Sequence, residues 1–252
     1  MQPVKASGFT DVHALLKRLE LAANRAGFRI HEYGVAGAHP LLAFTRRTPG
    51  VRPRIYLSAG CHGDEPAGPA ALLKLLEHGY FASQANWFIC PLLNPLGMER
   101  GTRENPDGID LNRDYRKPRT YEVSAHVSWL CHQPRFDVAL CLHEDWESAG
   151  FYLYELNPSG RPSLAPRIVQ AVSAACPIEL AELIDGRPGK DGIIRPVDEP
   201  ALRETWPEAI YLREHHTDLC FTTESPSLRR IEQRVAAQCI SVETVVTALS
   251  DR

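Results

Sequence analysis

The chain has 252 residues, of which 44% are apolar and 23% charged, with a formal net charge of −3. These are ordinary values for a folded globular protein, and the lack of a basic excess speaks against a nucleic-acid partner. No uncharged apolar run reaches the length of a membrane-crossing helix, and the first residues contain no apolar leader core, so the chain reads as soluble and cytoplasmic with no membrane partner. No linker divides it, which makes residues 1–252 a single domain. Seven cysteines, Cys61, Cys90, Cys131, Cys141, Cys176, Cys220 and Cys239, are odd in number and form no CxxC pair. They read as reduced and mostly buried.

In chain order, Val12, Leu15, Leu16, Leu19 and Ala23 recur at helical spacing, with Thr10 as the expected N-cap and Gly27 placed to end the helix. Short apolar or alternating runs at 28–33, 41–45, 55–59 and 87–93 read as strands. The stretch 66–78, with Leu72, Leu73, Leu75 and Leu76, reads as a helix between the last two. Strand, helix, strand is the crossover unit of a sheet with parallel pairs. Further along come a helix at 121–131, strands at 137–142 and 151–156, a helix at 165–175 and a strand at 218–223. A closing helix is expected to start at Pro226, with Ile231, Val235, Val242, Val245 and Leu249 as its apolar face. Residues 185–200 are rich in Gly, Pro and charge and read as a long surface loop or hairpin; over the rim of a site, Arg187, Lys190 and Arg195 would meet an acidic substrate group.

The most informative segment is SAGCHGDEPAG at 58–68, where His62 and Glu65 follow the end of an apolar strand. Three residues apart at a helix start, they share a face and can reach one ion. Alone this spacing is common by chance. It gains weight because ligands in open α/β sheets gather beyond the carboxyl ends of the strands. His143 ends another buried run, FDVALCLHED, and completes a His, Glu, His set that leaves one tetrahedral position open for water, as catalytic zinc requires. Other patterns fail: His143-Glu-Asp-Trp-Glu147 is not HExxH, and neither a CxxC pair nor a GxSxG elbow occurs.

Between these residues lies NPLGMERGTRENPDGIDLNRDY, from Asn94 to Tyr115. The HxxE segment, the NPLG turn, the TR pair, the DLNR box, the later His143 and a Thr-Glu pair ending in Glu224 stand in the order found in the zinc metallocarboxypeptidase family. The chain resembles most its short bacterial branch acting on murein peptides, and more distantly the succinylglutamate desuccinylase and aspartoacylase branch. The resemblance implies an α/β fold, a three-layer α/β/α sandwich around a mixed, largely parallel twisted sheet. It also implies one zinc ion held by His62, Glu65 and His143. By the same resemblance Arg103 polarises the scissile carbonyl and stabilises the oxyanion, Asn112 and Arg113 grip a terminal carboxylate, and Asp110 sits behind His62 and fixes its tautomer. Glu224, which by itself reads as an acid at a helix start, takes the role of general base.

One departure is the catalytic tyrosine that larger members carry upstream of the base: the nearest here is Tyr211, while Tyr152 and Tyr154 read as strand packing. Glu144 and Asp145 face either the pocket wall or solvent. The reading is a zinc-dependent carboxypeptidase or amidase that hydrolyses an amide beside a free carboxylate, on a small peptide of the murein type. Its alternatives are a deacylase of N-acyl amino acids and a zinc module used only for binding.

Overall fold

The computed structural model describes residues 11–81, 83–197 and 200–250. Helix α1 (Val12–Arg25) begins at Asp11, whose carboxylate accepts the Ala14 amide at 2.9 Å; the expected cap Thr10 lies outside the described residues. Leu15, Leu16, Leu19 and Ala23 are buried on one face, as their spacing requires. Gly27, at φ +75°, turns the chain into the sheet.

The strands are β1 (Arg29–Ala36), β2 (His39–Arg46), β3 (Arg54–Ala59), β4 (Asn86–Cys90), β5 (Val138–Asp145), β6 (Tyr152–Leu156), β7 (Leu183–Ile184), β8 (Arg187–Lys190), β9 (Ile193–Ile194) and β10 (Cys220–Pro226). They form one sheet in the order β1-β2-β4-β3-β5-β10-β6-β9-β8-β7. The central run β4-β3-β5-β10 is parallel, and β1, β2 and β6 pair antiparallel on its flanks. The expected mixed sheet is thus present, with its main parallel run at the centre and a second, short parallel pair between β6 and β9.

Alternation along β5 separates the two layers. Val138, Leu140 and Leu142 join the core formed with α1, α2 (Ala67–Glu77), α5 (Ala165–Val172) and α7 (Ile231–Ser250), whereas Ala139 and Cys141 join the core under α4 (Tyr121–Leu130) and α6 (Glu208–His215). Helices therefore cover both faces, which is the expected sandwich. All seven cysteines are unpaired, and only Cys131 is exposed. No helix among the described residues is long and apolar enough to cross a membrane.

Several boundaries differ from expectation, two of them most tellingly. Strand β1 runs on to Ala36 because its ladder with β2 continues past the apolar run, on a sheet edge where most side chains are exposed or half-buried. The closing helix starts at Ile231 and not at Pro226, which is the last residue of β10 and lies opposite Asp145. The ladder ends there, so a missing amide costs little. Residues 183–194 fold as a short meander, in keeping with the hairpin alternative for this stretch, and Asp185-Gly186 and Asp191-Gly192 are two-residue turns with positive φ at both positions. Asp-Gly is the favoured sequence for such hairpin turns because it tolerates that conformation in both places.

Helices α2 and α7 are pinned to β5 through one buried acid. Glu144 accepts the Ala67 amide at 2.6 Å and is hydrogen-bonded to the Arg234 guanidinium, with both side chains almost wholly buried. Removing one partner strands the other charge in the core. Arg234→Met is expected to lower unfolding stability by about 3–5 kcal/mol, read from urea denaturation; a change below 1 kcal/mol would assign the pair no more weight than a surface contact.

Candidate metal-dependent active site

Parallel strands β3, β5 and β10 end at the same rim, and the chemistry collects there. Beyond β3 the chain turns sharply through residues 61–64, and α2 starts only at Ala67, so His62 and Glu65 sit on a turn before the helix and not in its first turn. That turn presses on the next motif. A Cβ on Gly63 would lie 1.9 Å from the Gly97 carbonyl carbon, so no larger residue fits between His62 and Glu65 at this point. The opposing segment is the short helix α3 (Pro95–Arg100), capped by Asn94, which accepts the Gly97 amide at 2.9 Å and donates to the Arg103 carbonyl at 3.3 Å. The NPLG turn thereby carries Arg103 to the metal-site side of the rim.

The ends of His62, Glu65 and His143 converge. His62 Nδ1 is 2.5 Å from Glu65 Oε1, His143 Nδ1 is 2.9 Å from Glu65 Oε2, and the two Nδ1 atoms are 3.3 Å apart. One ligand atom from each lies within 4.8 Å of the others, and all three side chains are buried. Two imidazole nitrogens and a carboxylate in that space suit a borderline dication such as zinc. His62 Nε2 lies 3.1 Å from Asp110 Oδ1, which leaves Nδ1 as the lone-pair donor toward an ion. Burial disfavours the charged form of His62, but Glu65 and Asp110 outweigh it and push its pKa up to about 9. Burial likewise opposes ionised Glu65, and the two histidines overcome it and hold the carboxyl well below its usual range.

Arg103 bridges this cluster, with Nε 3.1 Å from Asp110 Oδ2 and a terminal nitrogen 3.7 Å from Glu65. Asp110 also caps the short turn at Leu111–Arg113 by accepting the Asn112 amide at 2.8 Å. Asn112 turns its Oδ1 inward onto the Glu208 amide at 2.9 Å, and Arg113 is exposed at the surface.

Glu224 pairs in register with His143 on one side and Tyr152 on the other, so the three side chains share a face of the sheet. No helix start lies beside it, and the expected support from a helix dipole is absent because the chain is still extended at Pro226. Burial and the carboxylates of Glu65 and Asp145 instead raise its pKa well above the usual value, against the pull of Arg103. A dication among these acids would reverse that push.

Some expected contributors lie elsewhere. Glu144 points to the opposite face, onto α2 and Arg234. Tyr211 packs in the core under α6, 3.6 Å from Cys131 Sγ. Arg195 is bound to Glu155 at 2.8 Å and to Ser163. Two tyrosines read as packing are close to Glu224: Tyr152 donates to Asp145 at 3.0 Å, and Tyr154 donates to Asp185 at the tip of the first hairpin turn. Asp185, an acid of the 185–200 stretch, thus reaches toward the site, and Arg187 lies close enough to Tyr154 to act on it by charge. Gln238 on α7 was not anticipated; it donates to the His143 carbonyl at 2.7 Å and accepts the Thr223 hydroxyl at 2.6 Å, tying together the strands that carry His143 and Glu224.

The sequence profile of the succinylglutamate desuccinylase/aspartoacylase catalytic domain matches residues 51–243, from the lead-in to β3 through most of α7. The chain belongs to that family. Solved structures extend the likeness over almost the whole chain. A protein from Shewanella amazonensis, provisionally assigned as a metallopeptidase, is 26% identical with a TM-score of 0.84, covering 95% of this chain and 94% of that one. A counterpart with the same provisional assignment from Shewanella baltica is 27% identical with a TM-score of 0.82 over 95% and 93%. A metallo-carboxypeptidase from Burkholderia cenocepacia, 18% identical with a TM-score of 0.68 over 93% and 67%, shares the fold. No curated protein matches the chain significantly. Desuccinylase/aspartoacylase membership places the chain among hydrolases, and His62, Glu65 and His143 form a site able to hold a metal ion.

Histidines that hold protons in the ion-free protein must release them to bind metal. Because the His62 pKa is raised to about 9, adding zinc at pH 7 is expected to release roughly one proton per ion, measured by titration calorimetry in buffers of different ionisation enthalpy. Affinity should fall as pH is lowered from 9. Zinc uptake with no proton release would place the ion away from His62.

Proposed function

We propose that this chain is a zinc-dependent hydrolase that cleaves an amide bond next to a free carboxylate, on a small peptide or N-acyl amino acid. The observation that carries the proposal is the convergence of His62, Glu65 and His143, with Arg103 on one side and Glu224 on the other. Zinc bound there supplies Lewis acidity and makes water a nucleophile near neutral pH. The chain's own residues do the rest. Glu224 takes the proton of the attacking water and passes it to the leaving nitrogen. Arg103, already oriented by Asp110, faces the charge that develops on the carbonyl oxygen. Asn112 and Arg113 hold the substrate carboxylate, the guanidinium by charge and the carboxamide through Nδ2, since its Oδ1 is engaged with Glu208.

Two versions of the reaction share these parts. The solved structures assigned as metallopeptidases favour cleavage of a peptide, which the sequence motifs narrow to removal of a C-terminal residue, including from a peptide of the murein type. The desuccinylase/aspartoacylase profile favours deacylation of an N-acyl amino acid. Assays of a muropeptide, plain dipeptides and N-acyl amino acids side by side separate them. A zinc module without catalysis has no need of Glu224; zinc binding with no hydrolysis of any of these substrates would establish that role instead.

Glu224→Gln is expected to keep zinc and fold while kcat falls by about 10²–10⁴, with KM changed far less. Loss of zinc together with activity would make Glu224 a ligand, and near-normal kcat would move the base to Asp145, the other acid on that face. Arg113→Ala is expected to raise KM for substrates with a free carboxylate and leave amidated ones unaffected; equal loss on both would remove Arg113 from carboxylate recognition.

A further inference from the structure

Beneath the site runs a chain of buried polar side chains that the reaction above does not use. Glu208, at the start of α6, is fully buried; its carboxylate accepts the Tyr56 hydroxyl at 2.7 Å and the Ser58 hydroxyl at 2.9 Å, both on β3. The Tyr56 oxygen lies 2.9 Å from His126 Nε2, and the Tyr115 hydroxyl lies 2.8 Å from His126 Nδ1. The bond directions follow from the acceptor at the end. Tyr56 spends its proton on Glu208, so its oxygen accepts from His126 Nε2–H, which leaves Nδ1 to accept from Tyr115. His126 is accordingly neutral, and burial holds its pKa down at about 3.

Both ends of this chain grip the same short segment. Tyr115 is one end. At the other, the Glu208 amide donates to Asn112 Oδ1 at 2.9 Å. The Tyr115 amide adds a bond to the Trp206 carbonyl at 3.2 Å, two residues before Glu208. The result is a closed ring, Asn112 to Glu208 to Tyr56 to His126 to Tyr115 and back along the backbone, anchored on central strand β3. A ring of this kind allows Asn112 one amide orientation, with Oδ1 inward and Nδ2 outward beside Arg113. Burying so many polar groups is costly unless all are bonded, and bonded they are rigid.

We propose that Glu208 is a positioning residue for substrate recognition, closing a buried ring with Tyr56, His126 and Tyr115 that presents the Asn112 carboxamide to the substrate carboxylate. The proposal rests on the carboxylate-binding role given above to Asn112 and Arg113. Glu208 touches neither substrate nor metal, so its loss should act on binding and spare the chemical step.

The test compares kcat and KM for one substrate as free acid and as amide, in the zinc-loaded full chain. Wild type should prefer the free acid. Glu208→Ala should raise KM for the free acid about tenfold to a hundredfold, the weight of a hydrogen bond to a charged group, with kcat and zinc content kept, so that the preference shrinks. Glu208→Gln, which keeps the shape and an acceptor for Tyr56, should restore KM. Tyr115→Phe opens the far end of the ring without a cavity and should raise KM in the same sense by about threefold to tenfold; it decides the matter if Glu208→Ala does not fold. Combined with Asn112→Ala, either change should add little.

A wild type indifferent to amidation overturns the carboxylate reading and the proposal with it. A wild type that prefers the free acid, with variants that keep that preference, overturns the positioning role alone. Glu208→Gln failing as badly as Glu208→Ala would show that the charge matters and not the placement, and would also overturn it.

Discussion

Glu65 is a carboxylate withdrawn from water and held between two imidazoles, and most of what surrounds it follows from the need to make that tolerable. An isolated buried charge costs several kcal/mol even after relaxation. Here each oxygen meets an imidazole nitrogen, and the imidazoles are braced in turn, His62 by Asp110 and His143 by its place in β5. Asp110 then draws in Arg103, whose guanidinium is the cation nearest to an otherwise acidic group. Glu224, Asp145 and Asp185 crowd further acids onto the rim, and the cost of that crowding shows in the raised pKa of Glu224. A dication held by the three converging donors would offset it.

Backbone constraints decide that these groups meet at all. His62 and Glu65 reach one point because Gly63 lets the turn press against Gly97. His143 and Glu224 stand side by side because β5 and β10 are parallel and in register, and Gln238 spans them from the helix behind. A slip of one residue in β10 would turn Glu224 to the opposite face and bring Ser225 into its place.

What the sequence conveyed best was apolar pattern and local chemistry. The spacing in α1, the buried run of β5 and the HxxE, NPLG and DLNR motifs all lead to elements and neighbours found in the fold. It conveyed least where polar residues are buried, because periodicity marks them as surface. Glu208, His126, Arg234 and Gln238 each interrupt an apolar face, and only the partner across the fold explains them. Pro226 misled for a different reason: proline after serine is a frequent helix start, but it also suits a strand's last residue, and pairing with β5 decided between them. The meander at 183–194 was open to a closer reading, since Asp-Gly occurs twice in it at a spacing that suits two tight hairpins.

The outer wall of the site is where a peptidase and a deacylase must part. In the proposed reaction the inner groups would contact only atoms common to both substrates: the scissile amide and the carboxylate beside it. What lies on the other side of the scissile bond would meet β6 and the first hairpin, which place Tyr152 with Asp145 and Tyr154 with Asp185 near Glu224. Both tyrosines spend their protons on aspartates, so each offers a ring face and an acceptor oxygen, and each aspartate keeps its charge nearby. Such a wall would receive an acyl group that is apolar or carries a donor, while Arg187, close enough to Tyr154 to act on it, offsets part of the aspartates' charge. In the proposed reaction, the balance between these aspartates and Arg187 would decide whether a succinyl or similarly acidic acyl group is admitted as readily as an amino-acid residue with its amine intact.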